Sequence, residues 1–394
     1  MLQILRLAAV LFAAVALLVP PPARAADPYE INAVLSLTGN LAFVGTTQLQ
    51  AIKAVEAYVN KSGGINGRQV SFVIADDQSN PQTAVQLVQG LVAKHVPLIL
   101  GPSGTGPCGA IVPIVATNGP VTYCLSNGAQ APAGGYVFLT LYSGEAGMAV
   151  IVRNLRERGL KKVAFISTVD ATGQDAEKSL DAALARPENA SMQIVTRQHF
   201  APTDLSVAAQ ITSIKAAAPD ALIGWVAGTA AGTLFRGLND AGVNLPTFTS
   251  ASNLNPIFFK QYGSITPKNL YFNASSYYGA DIVTNPAHKA AIATITSVLA
   301  AVNAKPDQIE ISAWDPAMLV VDALRKLGPD VTAAKLHDYL THLKGWVGVN
   351  GPYDFPANPQ RGLGENSAMA VRWDVDKGVG VAASRFGGAA LPGK

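Results

Sequence analysis

Charge is what this sequence has least of. Only 14% of its 394 residues are Asp, Glu, Lys or Arg, and residues 96–144 contain none. The balance is nearly neutral, 29 basic against 26 acidic residues, which provides no electrostatic footprint for nucleic acid or another polyanion. Cysteine is nearly absent as well, Cys108 and Cys124 being the only two, and the five histidines are scattered. His337 and His342 lie five apart, which is the wrong spacing for two metal ligands on one helical face, so no metal site is expected. No G-x-S-x-G occurs; Gly101-Pro102-Ser103-Gly104-Thr105 falls one residue short of it, and a hydrolase would lack its nucleophile. Asp76 and Asp77 are adjacent on an expected strand and point to opposite faces, so they do not form an acid/base pair, and one of them is expected to brace the following turn. No enzyme is expected from these residues. What the chain does have is apolar surface: 49% hydrophobic residues rule out disorder.

Two phosphate motifs are approached and missed. Gly101 and Gly106 have Walker-A spacing, yet Pro107 and Cys108 stand where a lysine and a hydroxyl on Mg²⁺ are required. Gly104, Gly106 and Gly109 make a formal G-x-G-x-x-G, but not after the first strand of a unit, and no acid follows at the distance a ribose needs. No nucleotide or other cofactor is expected.

The N-terminus sets the compartment. MLQILR carries one positive charge, LAAVLFAAVALLV is too short to span a bilayer, and Ala23-Arg24-Ala25 has the small-x-small form of a leader cleavage site. Residues 1–25 are therefore expected to be a secretory signal peptide and the mature protein to be periplasmic. Removing 25 of 394 residues leaves 369, and losing Arg6 and Arg24 lowers the net charge from +3 to +1. In an oxidising compartment Cys108 and Cys124 can pair. Cys108 falls in the first turn of an expected helix and Cys124 at the end of the next parallel strand, which a βαβ unit brings to one sheet edge; the alternative is two small buried thiols.

At 369 residues the chain exceeds what one core usually supports, so two domains are expected. Apolar strands alternate with helical patterns, the signature of an α/β fold with parallel sheets covered on both faces. EINAVLSL, QVSFVIAD, PLILG, PVTYCL, KKVAFIS, MQIVTRQHF and DALIGWV read as strands. Between them lie helices, one capped by Asn80 with Pro81 at its first position, one near 106–118, one from about 173 and one from about 204 capped by Asp204. Tracts near 135–147 and 270–281 break the rhythm and are expected to cross between lobes. Helices near 285–302, 312–327 and 332–343 return to the first lobe, and VNGPYDFP at 349–356 is expected to cross a third time. Three crossings make a hinge.

The uncharged tract is only partly explained by buried parallel strands. Its polar residues Ser103, Thr105, Ser126 and Asn127 fall just beyond the C-terminal ends of strands, where open α/β sheets bind ligands. Helix N-terminal amides plus hydroxyls hold a carboxylate without any arginine. LILGPSGTG is therefore expected to hold a small carboxylate.

The run SLTGNLAFVG, then NKSGGINGRQVSFVIADDQSNPQTAV, then the GPSGT loop resembles the periplasmic solute-binding proteins of the leucine/isoleucine/valine-binding type, which serve branched-chain amino acid ABC importers. The resemblance extends through DATGQD, TDLSVAAQITSIKAAAPDALI and GLNDAGVNLP. It implies a type I periplasmic binding fold: two Rossmann-like lobes, residues 27–142 with 275–349 and residues 143–274 with 350–394, joined by a three-strand hinge that closes over ligand. It implies no catalysis, a monomer, and an importer permease in the inner membrane as partner.

By position, the family's carboxylate-binding hydroxyl falls on Thr105, and its second carboxylate loop on Ser126, Asn127 and Gly128. The first-lobe wall falls on Val44, with Phe43 beside it. Second-lobe contacts fall on Thr172, on Ala227, Gly228 and Thr229, and near Ser252 and Asn253. Amino-acid binders of the family place an acid near the last position to hold the ligand's ammonium. Serine and asparagine stand there instead, with Asp170 as a candidate substitute. An unpaired buried ammonium is costly, so an aromatic or aliphatic carboxylate is favoured over a hydrophobic amino acid. Trp225, Tyr142, Tyr277 and Tyr278 are candidate stacking walls, with core and hinge packing as the alternative. A ligand sensor reporting to a membrane receptor is the other function such a fold supports. No apolar stretch past the leader is long enough to span a bilayer, which favours the importer component.

Overall fold

The computed structural model describes residues 27–328 and 330–391, so the expected leader over residues 1–25 lies outside the described residues. Strand and helix alternate from the start: β1 (Tyr29–Leu35), α1 (Ala42–Lys61), β2 (Val70–Asp76), α2 (Pro81–Ala93), β3 (Leu98–Leu100), α3 (Thr105–Val115), β4 (Val121–Cys124) and β5 (Val137–Leu139). All pairings are parallel and the order is β2-β1-β3-β4-β5, so the sheet reverses its winding at β1. The Asn80 side chain accepts from the amides of Gln82 and Thr83 and Pro81 opens α2, as the sequence predicts. Both adjacent aspartates brace the loop after β1. Asp76 accepts from the Leu37 and Gln78 amides and the Thr38 hydroxyl, and Asp77 from the Ser36 hydroxyl and the Ser79 amide. This is why the TG turn and the DDQSNP turn occur together in the sequence.

The chain then builds α4 (Gly144–Glu157), β6 (Lys162–Thr168), α5 (Ala171–Leu184), β7 (Gln193–Phe200), α6 (Ala208–Ala216), β8 (Ala221–Trp225), α7 (Thr229–Asp240), β9 (Thr247–Thr249), α8 (Pro256–Tyr262) and β10 (Leu270–Ser275). It continues through α9 (Pro286–Ala300), α10 (Gln308–Leu327), α11 (Ala333–Thr341), β11 (Lys344–Gly348), β12 (Gly351–Asp354), β13 (Ala368–Asp374) and β14 (Val379–Ala382). The second sheet runs β14-β13-β10-β9-β8-β6-β7, parallel from β10 to β7, with β13 and β14 antiparallel at one edge. Helices α9 to α11 return to the first lobe: Ile295, Leu299, Val320, Leu324, Leu336 and Leu340 share a core with Ile31, Leu35, Ile52 and Val55.

Three expectations need correction. VNGPYDFP does not cross between lobes; it forms β12 in a two-stranded sheet with β11, and Tyr353, Phe355 and Leu363 are buried in the first-lobe core. The third crossing comes later, between Leu363 and Ala368, so residues 350–363 belong with the first lobe and only the segment from β13 onward with the second. Aromatic residues in an extended run mark a buried strand as readily as a connector. Asp204 does not cap a helix: its carboxylate accepts from the Ala201 amide within the loop, and α6 starts at Ala208 after Val207, with no side-chain cap. α10 starts at Gln308, not 312, because Asp307 and Glu310 form a capping box.

Cys108, in the first turn of α3, and Cys124, the last residue of β4, form a disulfide with Cα atoms 6.1 Å apart and a sequence separation of 16. Closing a loop of that length contributes about 3 kcal/mol in the chain-entropy account. Mass spectrometry of unreduced protein exported to an oxidising compartment is expected to find no free thiol. The Cys108→Ala, Cys124→Ala double variant is expected to lose about 3 kcal/mol in urea unfolding.

Candidate ligand-binding cleft

The C-terminal ends of β1, β3, β4 and β5 meet the second lobe at one cleft, a cavity of about 80 Å³. From the first lobe it is lined by Leu41, Val44 and Gln48 on and before α1, by Ser103 to Thr105, by Leu125 to Asn127, by Thr140 and Leu141, and by Gln308, Ile309 and Ser312 of α10. From the second lobe come Thr172, Ala227 and Ser250 to Ser252. None of these residues is ionisable and none is aromatic.

The loop after β3 explains LILGPSGTG. Gly101 has φ +95°, and a Cβ there would lie 1.9 Å from the Val34 carbonyl oxygen, so only glycine lets β3 end this close to β1. The turn delivers Ser103, whose Oγ accepts from the Ser36 amide at 3.2 Å, and then Thr105 as the first residue of α3. The Thr105 and Ser126 hydroxyls are 2.9 Å apart. Two hydroxyls at the start of a helix, whose first amides have no intrahelical acceptor, form a donor cluster for a small anion.

The charge missing from this tract is supplied from far along the chain. Arg361, buried at 7% exposure, donates to the main-chain carbonyls of Asn127 (3.0 Å), Ala129 (2.7 Å), Thr140 (3.3 Å) and Tyr142 (3.4 Å). Burial lowers its pKa to about 10, so the guanidinium stays charged at neutral pH. It stands behind the Ser126–Asn127 loop and ties it to the first inter-lobe crossing.

Of the residues singled out in the sequence, Val44, Ser103, Thr105, Ser126, Asn127, Thr172, Ala227 and Ser252 come together here. Phe43 is half-buried and does not line the cleft; its neighbour Val44 does. Asp170 caps α5, accepting from the Gly173 amide and the Thr168 hydroxyl, so it is spent on the helix and does not line the cleft. Asn253 turns inward, donating to the Val226 carbonyl at 2.9 Å. Thr229 is exposed. Gly228 lies at the rim with φ +66°, where a Cβ would come within 2.5 Å of the Asn40 carbonyl oxygen of the other lobe. The candidate aromatic walls are elsewhere: Trp225 packs in the second-lobe core, the Tyr142 hydroxyl donates to the Asn273 carbonyl, and Tyr277 and Tyr278 pack edge to face near the hinge. Gln48, Thr140, Gln308 and Ser312 were missed. Gln48 lies one helical turn after Val44 and was legible from it; Gln308 and Ser312 enter only through tertiary packing of α10 on α1.

The lobes touch across the cleft mouth, where Gln130 donates to Asp175 of α5 at 2.7 Å. Burial raises the Asp175 pKa, opposed by Gln130 and by the Arg361 charge.

The sequence profile of the family described as periplasmic binding protein matches residues 28–378. The chain belongs to that family. The Leu/Ile/Val-binding protein homolog 3 of Brucella melitensis is 23% identical over 322 residues, 78% of this binding protein and 83% of the relative. A branched-chain amino acid transporter substrate-binding protein from Streptococcus pneumoniae, solved with isoleucine, has TM-score 0.75 at 20% identity, covering 90% of this chain and 98% of that one. A solute-binding protein of an ABC transporter from Rhodopseudomonas palustris, solved with benzoate, has TM-score 0.74 at 19% identity over 92% and 97%. The fold is that of the type I periplasmic binding proteins, and the family is one of solute-binding proteins. Among the described residues no helix is long and apolar enough to cross a membrane.

One electrostatic feature of this binding protein adjoins the cleft. Asp307 and Glu310 are both buried at the start of α10, each accepting from the other's amide or its neighbour's, and no basic group contributes to their field. Desolvation raises them to about 7 and about 8, with Asp307 adding repulsion at Glu310. A carboxyl whose folded pKa is raised contributes stability below its unfolded value and loses it as pH rises through the folded value. The melting temperature is therefore expected to fall between about pH 5 and about pH 8.5 in scanning calorimetry. Glu310→Gln, which keeps an acceptor for the Asp307 amide, is expected to flatten that fall.

Proposed function

We propose that this protein is the extracytoplasmic solute-capturing component of a branched-chain-amino-acid-type ABC importer, and that it takes a small aliphatic carboxylate by closure of its two lobes. The observation that carries the reading is the hydroxyl pair of Thr105 and Ser126, 2.9 Å apart at the N-terminus of α3, with the Arg361 guanidinium one residue behind it. Together they offer hydrogen bonds and positive potential to a carboxylate without neutralising it by direct contact.

The remainder of the ligand is read from what the cleft lacks. No carboxylate lines it, and Asp175 at the mouth is already bonded to Gln130, so a ligand ammonium would find no free counter-charge within the cleft, at a cost of several kcal/mol. No aromatic ring lines it either, so nothing there would stack on a benzoate ring. A short aliphatic acid fits these limits better than benzoate or leucine.

Capture proceeds by differential contact. The carboxylate docks on the first lobe, and Thr172 and Ser252 add contacts available only when the lobes meet, so ligand favours the closed form. That closed form is what a membrane permease would receive. The Gln130–Asp175 bond across the mouth supports the same closed arrangement.

The test is titration calorimetry of the mature protein with short carboxylates. Thr105→Val is expected to weaken binding of the best carboxylate by about 1.5–3 kcal/mol, the value of a hydrogen bond to a charged group. Unchanged affinity in that variant would remove Thr105 from the site.

A further inference from the structure

We infer that the Cys108–Cys124 disulfide is a positioning device for the ligand site: it joins the helix start that carries Thr105 to the loop that carries Ser126, and so sets the affinity for the carboxylate as well as the stability of the fold. This rests on the carboxylate reading above and says what holds that site in its binding geometry.

The two cysteines stand next to the two hydroxyls. Thr105 opens α3, and Cys108 lies three residues on, in the same turn and on the same helix face. Cys124 ends β4, and Ser126 lies two residues beyond it. The bond joins positions 16 residues apart, and the hydroxyls beside its two ends are 2.9 Å from each other. Packing there is close, since a Cβ on Gly128 would lie 2.7 Å from the Thr105 Oγ1. A relative shift of about 1 Å takes the two hydroxyls out of hydrogen-bond range.

Neither segment is built to hold that geometry alone. Gly104 stands at the N-cap of α3 and provides no side-chain cap, Gly106 and Gly109 fall in its first two turns, and Pro113 lies inside it. Each of these features weakens a helix. The Ser126–Gly128 loop belongs to no helix or strand. Arg361 holds it from one side through the Asn127 and Ala129 carbonyls. On the other side the disulfide ties it to α3, with the Leu125 amide donating to the Pro102 carbonyl at 3.0 Å beside the bond. Both cysteines are fully buried, so the bond is shielded once formed and the state of the site is set when the chain oxidises.

A bond that served folding alone would act by restricting the unfolded chain, which changes the melting temperature and leaves the affinity of the folded protein where it was. A bond that preorganises the site changes both. The experiment is therefore a double-mutant cycle read by titration calorimetry, with Thr105→Val on one axis and the Cys108→Ala, Cys124→Ala pair on the other. The probe is the tightest binder among propanoate, butanoate, isobutyrate, benzoate and leucine. Removing the bond is expected to weaken binding about tenfold, through the ordering of two side chains at the moment of binding. The effect of Thr105→Val is expected to fall from at least about tenfold in the oxidised protein to about threefold or less without the bond. Wild-type protein refolded and titrated under dithiothreitol, with its free thiols counted, is expected to match the double alanine variant, which separates loss of the bond from loss of side-chain volume.

Unliganded melting temperatures check that each form folds. A chain that does not fold in either form without the bond would assign the bond to folding and overturn the inference. Unchanged affinity without the bond, or a Thr105→Val effect of the same size in both backgrounds, would overturn it while leaving the carboxylate reading in place. No effect of Thr105→Val in the oxidised protein, or no binding by any of the five probes, would overturn both.

Discussion

A single buried guanidinium organises the cleft. Arg361 comes from a segment that the chain reaches only after completing most of both lobes, yet its donors end on carbonyls of the Ser126 loop and of the first crossing strand. A cation held by four neutral acceptors forms no direct ion pair, although the half-buried Asp175 at the cleft mouth offsets part of its charge. The uncharged tract from 96 to 144 can therefore attract an anion without containing a basic residue. The loop, the hinge and the return segment are fixed relative to one another by the same group, and its removal would leave four buried carbonyls to find water.

Much of the architecture was legible because it depends on local patterning. Strand and helix alternation, the Asn80–Pro81 helix start and the position of the cysteines each follow from residues a few places apart. The β3 loop was legible as a site because glycine, proline and hydroxyls interrupt an apolar run at a place where parallel sheets bind ligands. What failed was what local pattern does not encode. VNGPYDFP has the composition of a connector, and only the hydrophobic core of the first lobe decides that Tyr353 and Phe355 turn inward. Asp170 and Asn253 have the right chemistry to face a ligand, but helix capping and a backbone carbonyl claim them first. Gln308 and Ser312 are more than 250 residues from Gln48 in sequence, and nothing short of the packing of α10 on α1 brings them to the cleft.

The division of labour between the lobes follows from where the polar groups are committed. The first lobe supplies the loop hydroxyls, the two glutamines and the charge behind them, held by bonds within that lobe and to the crossings, Gln308 accepting from Ser275 at the end of β10. The second lobe contributes Thr172 at the start of α5, Ala227 and the serines at 250 and 252, all small side chains. Under the proposed closure, the first lobe would select the ligand and the second would complete the enclosure.

The contact of Gly228 with Asn40 is main chain against main chain. If the lobes close as proposed, it would be blind to what lies in the cleft and would act as an end stop on their approach. Under that reading a cargo too large for the resulting chamber would keep the stop from engaging, so the bulk accepted would be set by geometry at the rim.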